Sequence, residues 1–184
     1  MDFINNLSND DILDGHYKIK NITKTNIIYD DIYSCGTFSN GIMYNIILKY
    51  SGKDLKQIKK IDINEFENIY KIHNNFVAQV VINDCNINYF NFLECNFQGH
   101  SLTIWKNNNK YLIIQSYLKK YFKKIKEYDE KEFENIINKL KYINKSIYTK
   151  KFCAYWKDIT DIDIEYILRG KLINFKMNVK YLDL

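Results

Sequence analysis

Three residues of this chain have the types and the order that thiol chemistry on an amide bond requires: Cys35, His100 and Gln115. Such catalysis needs a cysteine made acidic, a histidine within hydrogen-bond reach to take its proton, and a third group to orient the histidine. Cys35 stands in Tyr33-Ser34-Cys35-Gly36-Thr37, directly before a stretch that reads as a helix from Gly36 to Tyr50. A helix N-terminus carries partial positive charge and stabilises a thiolate, so the thiol is expected to titrate below its ordinary value of about 8.5. Gly36 removes a side chain beside the sulfur, and the backbone N–H groups of Cys35 and Gly36 would form part of an oxyanion hole.

His100 opens a strand in Gln98-Gly99-His100-Ser101-Leu102-Thr103-Ile104-Trp105. Gln115 lies near the end of the next one, Tyr111-Leu112-Ile113-Ile114-Gln115-Ser116-Tyr117. A Gln inside an apolar strand is costly to bury without a partner. Its amide oxygen would accept from one imidazole nitrogen and leave the other facing Cys35. Register decides whether the two side chains meet. With the turn at Asn108-Asn109, Asn107 opposes Lys110, His100 opposes Tyr117 and Gln115 opposes Leu102. His100 and Gln115 are then diagonal neighbours on one face. A turn one residue longer would send them to opposite faces. Asn tolerates the positive φ that the short turn demands.

A cysteine at a helix start, a strand opening with His, and an orienting polar residue on the neighbouring strand resemble the papain-like cysteine peptidase superfamily. The wording Gly-His-Ser-x-x-Ile, a short turn, then an apolar strand ending Gln-Ser-Tyr is similar in particular to its Cys-His-Gln branch, to which the C-terminal deamidase domain of Pasteurella multocida toxin belongs. The resemblance covers residues 33 to 50 and 98 to 118. It implies a cysteine peptidase or glutamine deamidase acting on a protein or peptide substrate, with Cys35 as nucleophile, His100 as proton carrier, Gln115 as orienting group, and no cofactor. Many members carry a Gln or Asn shortly before the Cys for the oxyanion hole. Here Asn26 is the nearest such residue and is distant, so the second donor is unassigned.

Other residues invite simpler readings. His16 falls in a polar stretch and His73 on a helix face, both structural or solvated. The four cysteines, Cys35, Cys85, Cys95 and Cys153, show no CxxC spacing, which argues against a zinc ribbon. No metal is expected, and Cys153 beside Tyr155 and Trp156 reads as core. Lys119, Lys120, Lys123, Lys124 and Lys126 form the densest basic run. It reads as a solvated helix face, with nucleic-acid phosphate binding as the rival.

Helices and strands along the chain must position these residues. Asn9 to Gly15 reads as a turn or one helical turn, and Tyr17 to Ile28 as one or two short strands. Asn64 with Glu67 resembles a capping box opening a helix with Phe66, Ile69, Tyr70 and His73 on one face. Phe76 to Ile82 reads as a buried strand, and Asn88 to Leu93 as a further one. Asp129 with Glu132 is a second capping box. It opens the clearest helix, in which Phe133, Ile136, Ile137, Leu140 and Ile143 follow the i, i+3, i+4, i+7 pattern. A closing strand or hairpin is expected around Ile173 to Tyr181. This order is neither alternating βαβ nor all-β. It leaves α+β, with N-terminal helices packed on an antiparallel sheet.

The 184 residues show no linker or repeat, and 1–184 reads as one domain. An apolar fraction of 46% argues against disorder. No apolar run approaches the roughly 20 residues of a membrane span, and the start lacks the marks of a secretory signal, so a cytoplasmic protein is expected. The 16 Tyr, 11 Phe and absence of Pro, with abundant Asn, Ile and Lys, match an A/T-rich coding source such as a large DNA virus or a parasite. The same bias accounts for the net charge of +5. A non-catalytic effector or binding module of the same fold remains the main alternative to the enzyme.

Overall fold

The computed structural model describes residues 2–24, 34–84, 99–117, 120–144, 149–161, 163 and 175–184. The chain begins with helices. After the single turn α1 (Asp2–Asn5), α2 (Asn9–Thr23) opens at a capping box in which Ser8 and Asp11 satisfy each other's backbone amides. Ile12, His16, Ile19 and Thr23 recur at helical spacing and are buried. This corrects the expected turn at Asn9–Gly15 and the strand material after Tyr17. Tyr17, Ile19, Ile22 and Thr23 favour strands one by one, but the period-3.6 burial of one face decides the outcome.

Helix α3 (Cys35–Tyr50) follows, as expected from its sequence. It buries Phe38, Ile42, Met43, Ile46 and Ile47. Gly41 lets α2 cross it closely: a Cβ there would lie 2.3 Å from the carbonyl oxygen of Ile12. After the short strand β1 (Lys59–Ile61), α4 (Ile63–Ile72) is capped by Asp62, whose carboxylate accepts from the Asn64 amide. The helix therefore starts just before the expected Asn64 box, while Phe66 and Tyr70 form its buried face.

Strand β2 (Asn75–Asp84) leads to β3 (Gly99–Asn107), β4 (Lys110–Tyr117) and β5 (Lys120–Tyr128). From Lys120 on, the basic run is thus strand β5 and not a helix. It forms one edge of the sheet, where lysines discourage edge-to-edge pairing. Helix α5 (Glu130–Ile143) has the expected Asp129/Glu132 capping box, and all five apolar positions of its stripe are buried. Helix α6 (Lys150–Thr160), capped by Thr149, holds Cys153 in the core. Strand β6 (Phe175–Asp183) closes the chain. Cys85, Cys95, Asn26, Lys119 and the expected strand at Asn88–Leu93 lie outside the described residues.

The six strands pair antiparallel throughout, in the order β1-β6-β2-β3-β4-β5. Helices cover both faces, giving an α+β fold in three layers. On one face α2 and α3 pack against Val77, Trp105, Leu112, Ile114 and Leu182. On the other, α4, α5 and α6 pack against Ala78, Val80, Ile82, Leu102, Ile104 and Ile113. Strand alternation therefore sends odd residues of β3 toward α3 and even residues toward α6. Among the described residues, no helix is long and apolar enough to cross a membrane.

The tight α2–α3 crossing makes a stability prediction. In urea unfolding, Gly41→Ala should cost about 1–3 kcal/mol by overpacking against backbone. Gly52→Ala, where a Cβ would meet nothing within 4 Å, should stay within about 0.5 kcal/mol of the parent. Equal effects of the two would refute the close crossing.

Candidate functional site

The β3–β4 turn is the two-residue turn at Asn108-Asn109, with Asn107 opposite Lys110 and Asn108 at φ 55. Register then runs to Thr103↔Ile114. Beyond that point β3 goes on with β2, as far as Asn83↔Gly99, and β4 goes on with β5, so the two strands part. Gln115 spans the parting. Its Oε1 lies 2.8 Å from His100 Nε2, and both side chains are buried on the α6 face. From Thr103 to Ile114 the hairpin has the register that its sequence implies, and His100 and Gln115 share a face as expected, while the ladder pairs His100–Tyr117 and Leu102–Gln115 are not formed.

The Gln115 amide is held at both ends. Its Nε2 donates to the carbonyl oxygen of Ile159 in α6, at 2.8 Å. A carbonyl only accepts, so the other end of the amide, Oε1, must be the group that faces the imidazole. Oε1 accepts in turn, which makes His100 Nε2 the protonated nitrogen. In the neutral ring the lone pair is then on Nδ1. The ring lies against Trp156, with centroids 6.2 Å apart. Burial pushes the His100 pKa down to about 4, against a smaller upward pull from Gln115. At neutral pH His100 is an uncharged imidazole, a proton acceptor and not a resident cation.

Cys35 is the first residue of α3, and its N-cap Ser34 makes no side-chain capping bond. The residue is half-buried. The backbone amides of Ser101, Gly36 and Cys35 lie near enough to the sulfur to favour its thiolate. Loss of water around the sulfur pushes the thiol pKa up, and the three amides only partly offset this. The expected acidic thiol is thus corrected: desolvation outweighs the nearby amides, and the resting group is an S–H.

The structure thus brings His100 and Gln115 together on the α6 side of β3, and Cys35 to the backbone of the next residue, Ser101, from the α3 side. The side chain of Ser101 points to α3, where its Oγ lies 2.6 Å from Ser39 Oγ. His100, one residue earlier, points to the α6 face. The sulfur reaches β3 one residue from His100 along the strand, and the imidazole bridges the gap to Gln115. The Cys35 and Gly36 amides named for an oxyanion hole lie beside the sulfur at the start of α3.

The chain matches no protein-family model, no curated protein and no solved structure. The site is therefore read from its own geometry.

The sequence reading missed what lies beneath the thiol. Gln79, fully buried on β2, donates to Ser39 Oγ at 2.6 Å, Asn40 Oδ1 at 2.7 Å and Ser101 Oγ at 3.2 Å. Its own oxygen accepts from Lys180 Nζ on β6 at 3.2 Å. Asn40 Nδ2 lies 3.1 Å from Nδ1 of His16, which is wholly buried in α2 and not in a polar turn. The signal was available: His16 sits between Ile12 and Ile19 at helical spacing. His73 caps the end of α4 and lies 3.2 Å from Asp183. Among the described residues, no group of three His, Cys, Asp or Glu is arranged to hold a metal.

The buried neutral imidazole fixes a pH dependence. Between pH 6.5 and about 4 the unfolded chain binds a proton at His100 that the folded chain refuses. Stability should therefore fall as pH drops through that window, by about 3 kcal/mol in all from this group. Denaturation at pH 6.5 and 5 should show a smaller loss for His100→Gln than for the parent. Parallel losses would mean that His100 is not held neutral.

Proposed function

We propose that the protein is a thiol-dependent amide hydrolase of papain-like type, with Cys35 as nucleophile, His100 as general base and acid, and Gln115 as orienting group. The observation that carries this reading is the doubly held Gln115 amide, which makes His100 a neutral base with its lone pair on Nδ1.

The chemistry follows from that protonation state. The Cys35 S–H proton passes to His100 Nδ1 as the sulfur attacks the amide carbonyl carbon. The Cys35 and Gly36 amides stabilise the negative charge that develops on the carbonyl oxygen. The C–N bond then breaks, and the leaving amine takes the proton from Nδ1. Water attacks the thioester carbon and gives one proton to Nδ1. The C–S bond breaks, and the sulfur recovers that proton. No redox partner or metal is required. The substrate is a protein amide: a peptide bond, an isopeptide or a glutamine side chain. Because thiol and imidazole both rest uncharged, proton transfer accompanies attack and is not completed beforehand.

The test is labelling of the intact protein with an electrophilic peptide or ubiquitin probe, read by peptide mass mapping. Cys35 should carry the label, and Cys35→Ala should abolish it. His100→Ala should slow it by about a hundredfold or more, and Gln115→Ala by less. Indifference to His100→Ala would leave the chain as a non-catalytic binding module.

A further inference from the structure

The network under α3 is expensive to bury and lies against the thiol, not at a remote point of the core. Polar side chains in a sealed layer are costly unless every group finds a partner. Here they come from four separate elements: Ser39 and Asn40 on α3, Gln79 on β2, Ser101 on β3 and Lys180 on β6. Ser39 is one helical turn beyond Cys35, so both face the same strand. Ser39 is held four ways. Its Oγ meets Ser101 Oγ, donates to the Gly36 carbonyl at 3.2 Å and receives the Gln79 amide, and its carbonyl accepts from Thr103 Oγ1 at 3.0 Å.

We propose that Gln79 is a positioning residue for the thiol: through Ser39 and Ser101 it holds the first turn of α3 against β3, so that the Ser101 amide lies near the Cys35 sulfur. The geometry favours this over a purely cohesive role. The two hydroxyls that Gln79 ties together belong to the strand residue whose N–H lies near the sulfur and to the helix residue one turn from it. An apolar residue at 79 would fill the space but leave the Ser39–Ser101 pair without its donor. The helix terminus would then be free to shift along β3. The proposal rests on the hydrolase reading only for the use made of the thiol; the thiol's setting is measurable without any substrate.

The experiment is the pH profile of iodoacetamide modification at Cys35 in the intact protein, followed by peptide mapping. Gln79→Met keeps length and removes the donors. It should move the Cys35 profile to higher pH and slow modification at a fixed pH below the midpoint by about tenfold. Ser101→Ala, which keeps the backbone amide but cuts one arm, should move it in the same direction by less. Asn45→Ala is the control. Asn45 is another largely buried amide of α3, bonded to the carbonyls of Asp11 and Gly41 and apart from this network. It should lower thermal stability and leave the profile in place. An unchanged profile in both Gln79→Met and Ser101→Ala, or an equal shift in Asn45→Ala, overturns the proposal. A shifted profile in a protein that hydrolyses no amide would keep the positioning role and remove the hydrolase.

Discussion

A primary amide that is shut away from water must satisfy its two ends with different partners, and Gln115 does so with an acceptor at one end and a donor at the other. The Ile159 carbonyl takes the N–H, and the His100 Nε2–H is given to the oxygen. From this single constraint come the tautomer of His100, the angle of its ring beside Trp156, and the docking of the end of α6 onto β4. The bond exists because β3 and β4 part after Thr103↔Ile114, opening a gap that a Gln on one strand and a His on the other can bridge.

Cys35 comes to the same strand as His100, at Ser101, from the opposite layer. A helix that ends against the middle of a sheet would bury its first N–H groups with no acceptor. Helix α3 begins with Cys35, and its first amides and the Ser101 amide lie near the sulfur. Burial makes both reactive groups neutral: the thiol is pushed up and the imidazole pushed down to about 4. An ion pair at rest would have to overcome the desolvation of two charges. An uncharged thiol and an uncharged imidazole avoid that cost.

Much of this was legible in the chain because local rules and tertiary packing agree. The Asp129/Glu132 box and the Phe133-to-Ile143 stripe leave one reading for α5, and Asn108-Asn109 fixes the β3–β4 register and with it the shared face of His100 and Gln115. Two stretches were misread for identifiable reasons. In α2, single-residue strand preference hid the spacing of Ile12, His16, Ile19 and Thr23. In β5, the mixture of Lys with Tyr, Phe and Ile fits a helix face as well as an edge strand, and pairing with β4 decides between them. The Gln79 network was invisible for another reason. Gln79, Ser39, Ser101 and Lys180 are far apart in sequence, and only the sheet order β6-β2-β3 with α3 across it assembles them. The direction of the thiol shift was likewise beyond local reading, since it depends on how much water the fold removes.

The most direct measurement of the central claim is long-range proton–nitrogen NMR of the His100 ring across a pH titration. The account predicts a neutral ring at pH 7 with its proton on Nε2, and it predicts that the ring stays neutral until pH falls well below 6.5, the proton returning to solvent exchange in Gln115→Ala. An imidazolium near neutral pH, or a proton on Nδ1 with Gln115 intact, would contradict it.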